Sequence, residues 1–121
     1  MVKNLKISPF GKYCRKLRIE RDEKIRDMAA KLNVTSAYLS AVELGKRNIP
    51  VEWESKLAEL YGLEDVQVQE LRLAILKSIT SIKISLRHAT NEQRRLAVLF
   101  SKRINDLTES EAEEIIRLMK G

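Results

Sequence analysis

The sequence is poor in reactive and conformationally special residues: 121 positions hold one cysteine, one histidine, four glycines and two prolines, and aromatic side chains make up 5%. One thiol cannot close an internal disulfide, and no Cys or His pair falls at metal-ligand spacing, which excludes disulfide scaffolds, zinc sites and haem attachment. A Gly-rich phosphate loop is missing too. No apolar run approaches the roughly 18 residues of a membrane span. Met1-Val2-Lys3-Asn4-Leu5-Lys6 lacks the apolar core of a signal peptide. The expectation is a reducing, cytoplasmic location with no membrane partner, which suits a single unpaired Cys14. His88 stands in Leu86-Arg87-His88-Ala89-Thr90, which reads as a loop before a helix cap, with no partner placed to make it a general base. No enzyme, metal or cofactor is expected.

The charge is uneven. The net charge is +6, from 23 Lys plus Arg against 17 Asp plus Glu. Residues 1–48 carry twelve basic and five acidic side chains, a net of +7, and the other 73 residues eleven and twelve, a net of −1. A basic half joined to a balanced half suggests a polyanion-binding module followed by a segment with another task, such as self-association. The plain alternative is a solvated surface that happens to be basic.

Apolar residues recur at spacings of three and four, and Gly and Pro stand only at breaks, so the fold class reads as mainly all-α. Ser8 as N-cap and Pro9 at the first helical position open the first helix. Phe10, Cys14, Leu17 and Arg21 form its buried stripe, beside a basic face of Lys12, Arg15, Lys16 and Arg18. Cys14 is thereby core filler rather than nucleophile. Ile25 to Leu32 gives a second helix stopped by Asn33, a residue that tolerates the left-handed conformation of a sharp helix end. Thr35 or Ser36 caps a third helix to about Glu43, with Leu39 and Val42 inward and Ser36, Ala37, Ser40 and Ala41 outward. Gly45 ends it, leaving Lys46, Arg47 and Asn48 in an exposed loop. A fourth helix from about Val51 to Tyr61 buries Trp53, Leu57, Leu60 and Tyr61.

Asp65 caps a fifth helix through about Lys77, apolar enough to need cover on more than one side. Ile82, Ile84 and Leu86 then alternate with polar residues, the period of a half-buried strand. Such a strand either pairs across a dimer or is an extended linker. Two capping boxes, Thr90 with Gln93 and Thr108 with Glu111, start two final helices joined around Asn105-Asp106-Leu107 into a helical hairpin. The chain thus divides into a five-helix domain at 1–78 and a C-terminal extension at 79–121. In that extension Ile82, Ile84, Leu86, Leu96, Leu99 and Phe100 are candidate dimer or partner contacts.

Two short helices joined by a tight turn, with small polar groups on the second and basic residues around them, are the components of a helix-turn-helix reader. From Ile25 to Val42 the sequence resembles the Cro/repressor-type (Xre) family, with Ala29 where the helices approach, Asn33 at the turn, and Val34, Leu39 and Val42 in the small core. The likeness extends to Leu17-Arg18 and along Tyr38-Leu39-Ser40-Ala41-Val42-Glu43-Leu44-Gly45-Lys46-Arg47-Asn48-Ile49-Pro50, covering roughly residues 8–63. Asn33 and Ile25 stand where that family commonly has Gly and Gln, so a phosphate contact held there by Gln is either absent or supplied by Lys24 or Arg26.

The resemblance implies that Thr35, Ser36, Ala37 and Ser40 face base edges in the major groove, through hydroxyls and through methyls able to touch a thymine. It implies phosphate contacts from Lys24, Arg26, Tyr38, Lys46, Arg47 and Asn48. The plain alternatives are surface packing for Tyr38 and an ordinary charged loop for Lys46 and Arg47. No Arg, Gln or Asn on the reading face offers a bidentate code, so dimer spacing and DNA shape are expected to carry part of the specificity. The expected partners are double-stranded DNA and a second copy of the chain, as a repressor on a palindrome. The alternative is an antitoxin or protease-sensitive repressor whose C-terminal half holds a toxin or metallopeptidase.

Overall fold

The computed structural model describes residues 6–121. Every regular element among them is helical: α1 (Pro9–Glu20), α2 (Ile25–Lys31), α3 (Ser36–Glu43), α4 (Trp53–Leu60), α5 (Asp65–Ser78), α6 (Asn91–Arg103) and α7 (Glu109–Lys120), with a 3-10 turn at Ile104–Asp106 between the last two. The chain separates into two compact units that meet between Ile82 and Lys83.

The first unit holds the core. Phe10, Cys14 and Leu17 of α1, Met28 and Ala29 of α2, Leu39 and Val42 of α3, Trp53 and Leu57 of α4 and Leu71 of α5 are buried together, with Leu32 and Tyr61 from the helix ends. Removing such side chains from water is the main favourable term, worth about 1.5–3 kcal/mol for each large one. The start of α1 is fixed by polar contacts. Ser8 Oγ accepts from the Gly11 N–H at 3.0 Å, and the Phe10 N–H donates to Ser78 Oγ at 2.8 Å, so the end of α5 satisfies an amide that the first turn of α1 leaves free.

Several expectations are corrected here. Arg18 is not on an exposed basic face but 6% exposed in the core. Arg21 is exposed rather than in the buried stripe, its guanidinium 5.2 Å from the centre of the Tyr61 ring. Helix α4 begins at Trp53 instead of Val51, and Leu60 is 40% exposed rather than buried. Glu64, not Asp65, is the N-cap of α5; its N–H donates to Gln67 Oε1 at 2.9 Å, leaving Asp65 as the first helical residue. Only Leu71 of α5 is fully buried, with Val66, Leu73 and Leu76 exposed.

The strand expected at Ile82 to Leu86 does not form. The segment 79–86 is irregular, with Ile82 and Ile84 exposed, because no extended segment among the described residues lies alongside to complete a ladder. The second unit is the expected pair of helices. Both capping boxes are made: Thr90 Oγ1 accepts from the Gln93 N–H at 3.1 Å, and Thr108 Oγ1 from the Glu111 N–H at 3.1 Å. Ile104 opens the 3-10 turn that follows α6. Among the described residues no helix is long and apolar enough to cross a membrane.

Candidate nucleic-acid interface

Helices α2 and α3 meet through a four-residue connection whose backbone is set at one point. Asn33 takes a φ of 60°, the left-handed conformation that asparagine accepts more readily than most residues. The Asn33 N–H donates to the Ala30 carbonyl at 3.1 Å and the Val34 N–H to the Ala29 carbonyl at 2.9 Å, closing α2. Thr35 is the N-cap of α3, its Oγ1 accepting from the Tyr38 N–H at 3.0 Å. A methyl-bearing hydroxyl therefore serves as cap and is exposed at the same time.

Beyond Thr35, the first turn of α3 presents Ala37 fully and Ser36 partly, with Ser40 one turn further, also half-buried. Ser36 and Ser40 are four apart and share one helix face. The four residues expected to read bases thus lie together on the leading part of α3. Its opposite side is anchored by Leu39 and Val42 in the core. Tyr38 is half-buried, its ring meeting Trp53 edge-on with centroids 6.0 Å apart. Packing is a large part of what Tyr38 does.

The basic residues flank this pair of helices. Lys24 is the N-cap of α2 and Arg26 lies in its first turn, both exposed. Gly45, at a φ of 78°, turns the chain out of α3 and leaves Lys46, Arg47 and Asn48 exposed. Among the described residues the cations paired with carboxylates are Arg18, Arg21, Lys31, Arg72 and Arg95. Lys24, Arg26, Lys46 and Arg47 are not among them, so a polyanion would meet them without first breaking an ion pair. No protein family, curated protein or solved structure matches this chain.

What holds α3 in place is a feature the sequence reading missed. Arg18 of α1 meets Glu43, the last residue of α3, through two parallel contacts, Nη1 to Oε2 at 2.5 Å and Nη2 to Oε1 at 3.1 Å, and Nη1 also lies 3.3 Å from the Met28 sulfur. Burial alone would lower the pKa of Arg18; the hydrogen bonds and charge of Glu43 outweigh it and keep the guanidinium firmly protonated. Beside this pair, Ser8 donates twice to the Glu43 carbonyl, from its N–H at 2.9 Å and its hydroxyl at 2.8 Å. A Cβ on Gly11 would sit 2.4 Å from that same carbonyl oxygen. The legible signal was Gly11 itself, a residue without a Cβ inside a helical pattern, where it costs helix stability and leaves room for another backbone.

The remaining candidates separate. Cys14 is buried, and burial followed by the nearby Glu43 charge pushes its thiol above the ordinary range, so it stays protonated. His88 is exposed in the turn before α6. In the second unit Leu96, Leu99 and Phe100 line an apolar groove of about 440 Å³, together with Arg103, Leu107, Ile115, Leu118 and Met119. Ile82, Ile84 and Leu86 are not in that groove.

Proposed function

We propose that this chain is a sequence-specific DNA-binding transcriptional regulator, a repressor that binds a palindromic operator as a two-fold dimer and has no catalytic role. The observation that carries the reading is the pair α2 and α3: a tight turn at Asn33, a second helix whose leading turn offers Thr35, Ser36, Ala37 and Ser40, and unpaired cations at both flanks. This is the arrangement by which a helix-turn-helix module lays its second helix in the major groove. Small hydroxyl and methyl groups there allow close approach and modest discrimination. Lys24, Arg26, Lys46 and Arg47 supply phosphate contacts, which give affinity and register but little sequence information. Asn48 and the Tyr38 hydroxyl add neutral donors at the same border. Two such modules on one palindrome would stand roughly 34–36 Å apart, one helical turn of DNA.

Two substitutions test the assignment by different signatures. Ser36→Glu places a carboxylate among base acceptors and phosphates and should abolish preference for the operator while leaving the fold intact. Arg47→Ala should weaken binding to all sequences alike and reduce the salt slope by about one unit. Normal operator binding by Ser36→Glu would show that α3 is not the reading element.

A further inference from the structure

Residues 83–121 form a unit of about forty residues in which no side chain is buried. Units of this size ordinarily need a disulfide, a metal or association with another chain to stay folded. The single cysteine, Cys14, belongs to the other unit, and no cluster of metal-ligating side chains occurs among the described residues. Association remains. Leu96, midway along α6, Leu107, in the connection, and Met119, near the end of α7, line the same groove, so the two helices run antiparallel on either side of it. The apolar side chains involved are wide open to solvent: Leu96 is 60% exposed, Leu99 56%, Leu118 80% and Met119 74%.

We propose that a second copy of this hairpin occupies the groove, packed antiparallel across a two-fold axis so that four helices close one apolar core. The proposal extends the dimer of the preceding reading by naming its surface and orientation. The distribution of charge along the hairpin argues for this occupant. Its turn end, residues 101–114, carries two basic and five acidic side chains, a net of −3. Its open end, residues 83–100 and 115–121, carries six basic and one acidic, a net of +5. The two ends of one hairpin are therefore complementary to each other, as a self-complementary two-fold interface requires. Antiparallel packing sets the Asp106, Glu111 and Glu114 end of one copy beside the Arg94, Arg95 and Arg117 end of the other. Parallel packing would stack like charge on like charge. Four-helix bundles bury apolar stripes of the kind that α6 and α7 leave open.

The test is sedimentation equilibrium of the full chain without DNA, at tens of micromolar protein. The expected mass is twice the 14.0 kDa of one chain. Leu99→Lys should give monomers. Because that change could also disturb the helices, a second variant reverses exposed charge only: Glu113→Lys with Glu114→Lys should weaken the dimer roughly tenfold, with helix content unchanged. Trp53, the only tryptophan, lies in the first unit, so its emission checks that unit independently. Chains carrying Asn105→Cys should cross-link to chains carrying Lys120→Cys rather than to each other. A monomeric wild type, a dimer indifferent to both hairpin variants, or cross-linking of Asn105→Cys to itself would each overturn the proposal. A monomer that still selects an operator would leave the DNA-binding reading standing, so the two failures are distinguishable.

Discussion

Arg18 and Glu43 place opposite charges where solvent hardly reaches, with 8% and 4% of their side chains exposed. Desolvating both costs several kcal/mol, which the bidentate geometry offsets, and the result is directional: the pair fixes where α3 ends relative to α1. Removing one partner leaves the other buried and uncompensated. Arg18→Met should lower unfolding stability by about 3–5 kcal/mol in urea titrations, whereas Arg18→Met combined with Glu43→Leu should recover most of the loss. A loss in the double variant equal to the sum of the losses in Arg18→Met and Glu43→Leu alone would show that the two side chains do not act as a pair.

Also at the residue scale, Cys14, Tyr13 and Tyr61 all have pKa values raised first by burial. For Tyr61 the hydroxyl's hydrogen bond to Glu23 Oε1, at 2.7 Å, adds to the shift. A raised folded pKa on an acid means that the unfolded chain loses its proton first. Stability should therefore be flat near neutrality and fall as pH rises above about 8.5, the ordinary thiol value, with the tyrosines joining above about 10. Urea titrations between these limits should show a shallower decline for Cys14→Ala than for the wild type. An unchanged slope would mean that the thiol ionises in the folded protein. Glu23 acts at the other end: burial opposes its charge, but Lys31 and the Tyr61 hydroxyl outweigh it and lower its pKa. Its contribution is present near neutrality and is lost as pH falls through that depressed value.

At the scale of elements, the turn between α2 and α3 depends on one backbone conformation. Asn33→Gly should be tolerated, because glycine adopts positive φ freely, while Asn33→Val should cost about 1–2 kcal/mol and disturb the approach of α2 to α3. Equal stability of the two variants would contradict the strain argument. Caps and apolar spacing made most of these helices legible: Ser8, Thr90 and Thr108 each cap the helix that the sequence assigns to them, and of the two candidates for α3, Thr35 and Ser36, the cap is Thr35. The placement of the candidate residues Thr35 to Ser40 at the cap and along the first part of α3 was legible for the same reason, since the cap fixes the register of that helix. What local pattern did not disclose was pairing between distant elements. Arg18 reads as a surface cation until Glu43, 25 residues away, is folded against it. The alternation Ile82, Ile84, Leu86 misled because period two states only that side chains alternate, and a strand needs a neighbour that one segment cannot announce.

On the scale of the whole molecule, the first unit has an apolar core and the second has an uncovered groove, joined by an irregular, exposed stretch. Lys83 and Arg87 stand in or beside that stretch, both exposed. Limited trypsin digestion should therefore cut there first, since exposed irregular backbone enters a protease site most readily. Earliest cleavage within α1 to α5 would contradict the two-unit organisation. On the function and dimer proposed above, the two parts do different work: the basic unit meets a polyanion and the hairpin holds two copies in register.

The central claim is that α3 reads a sequence. Its most direct measurement is selection of bound duplexes from a random pool, followed by titration of the enriched site against a scrambled one at near-physiological salt. The account predicts a palindromic site bound about a thousandfold more tightly than the scrambled duplex. Weak and equal binding to both, vanishing as salt rises, would contradict it and leave only a basic surface.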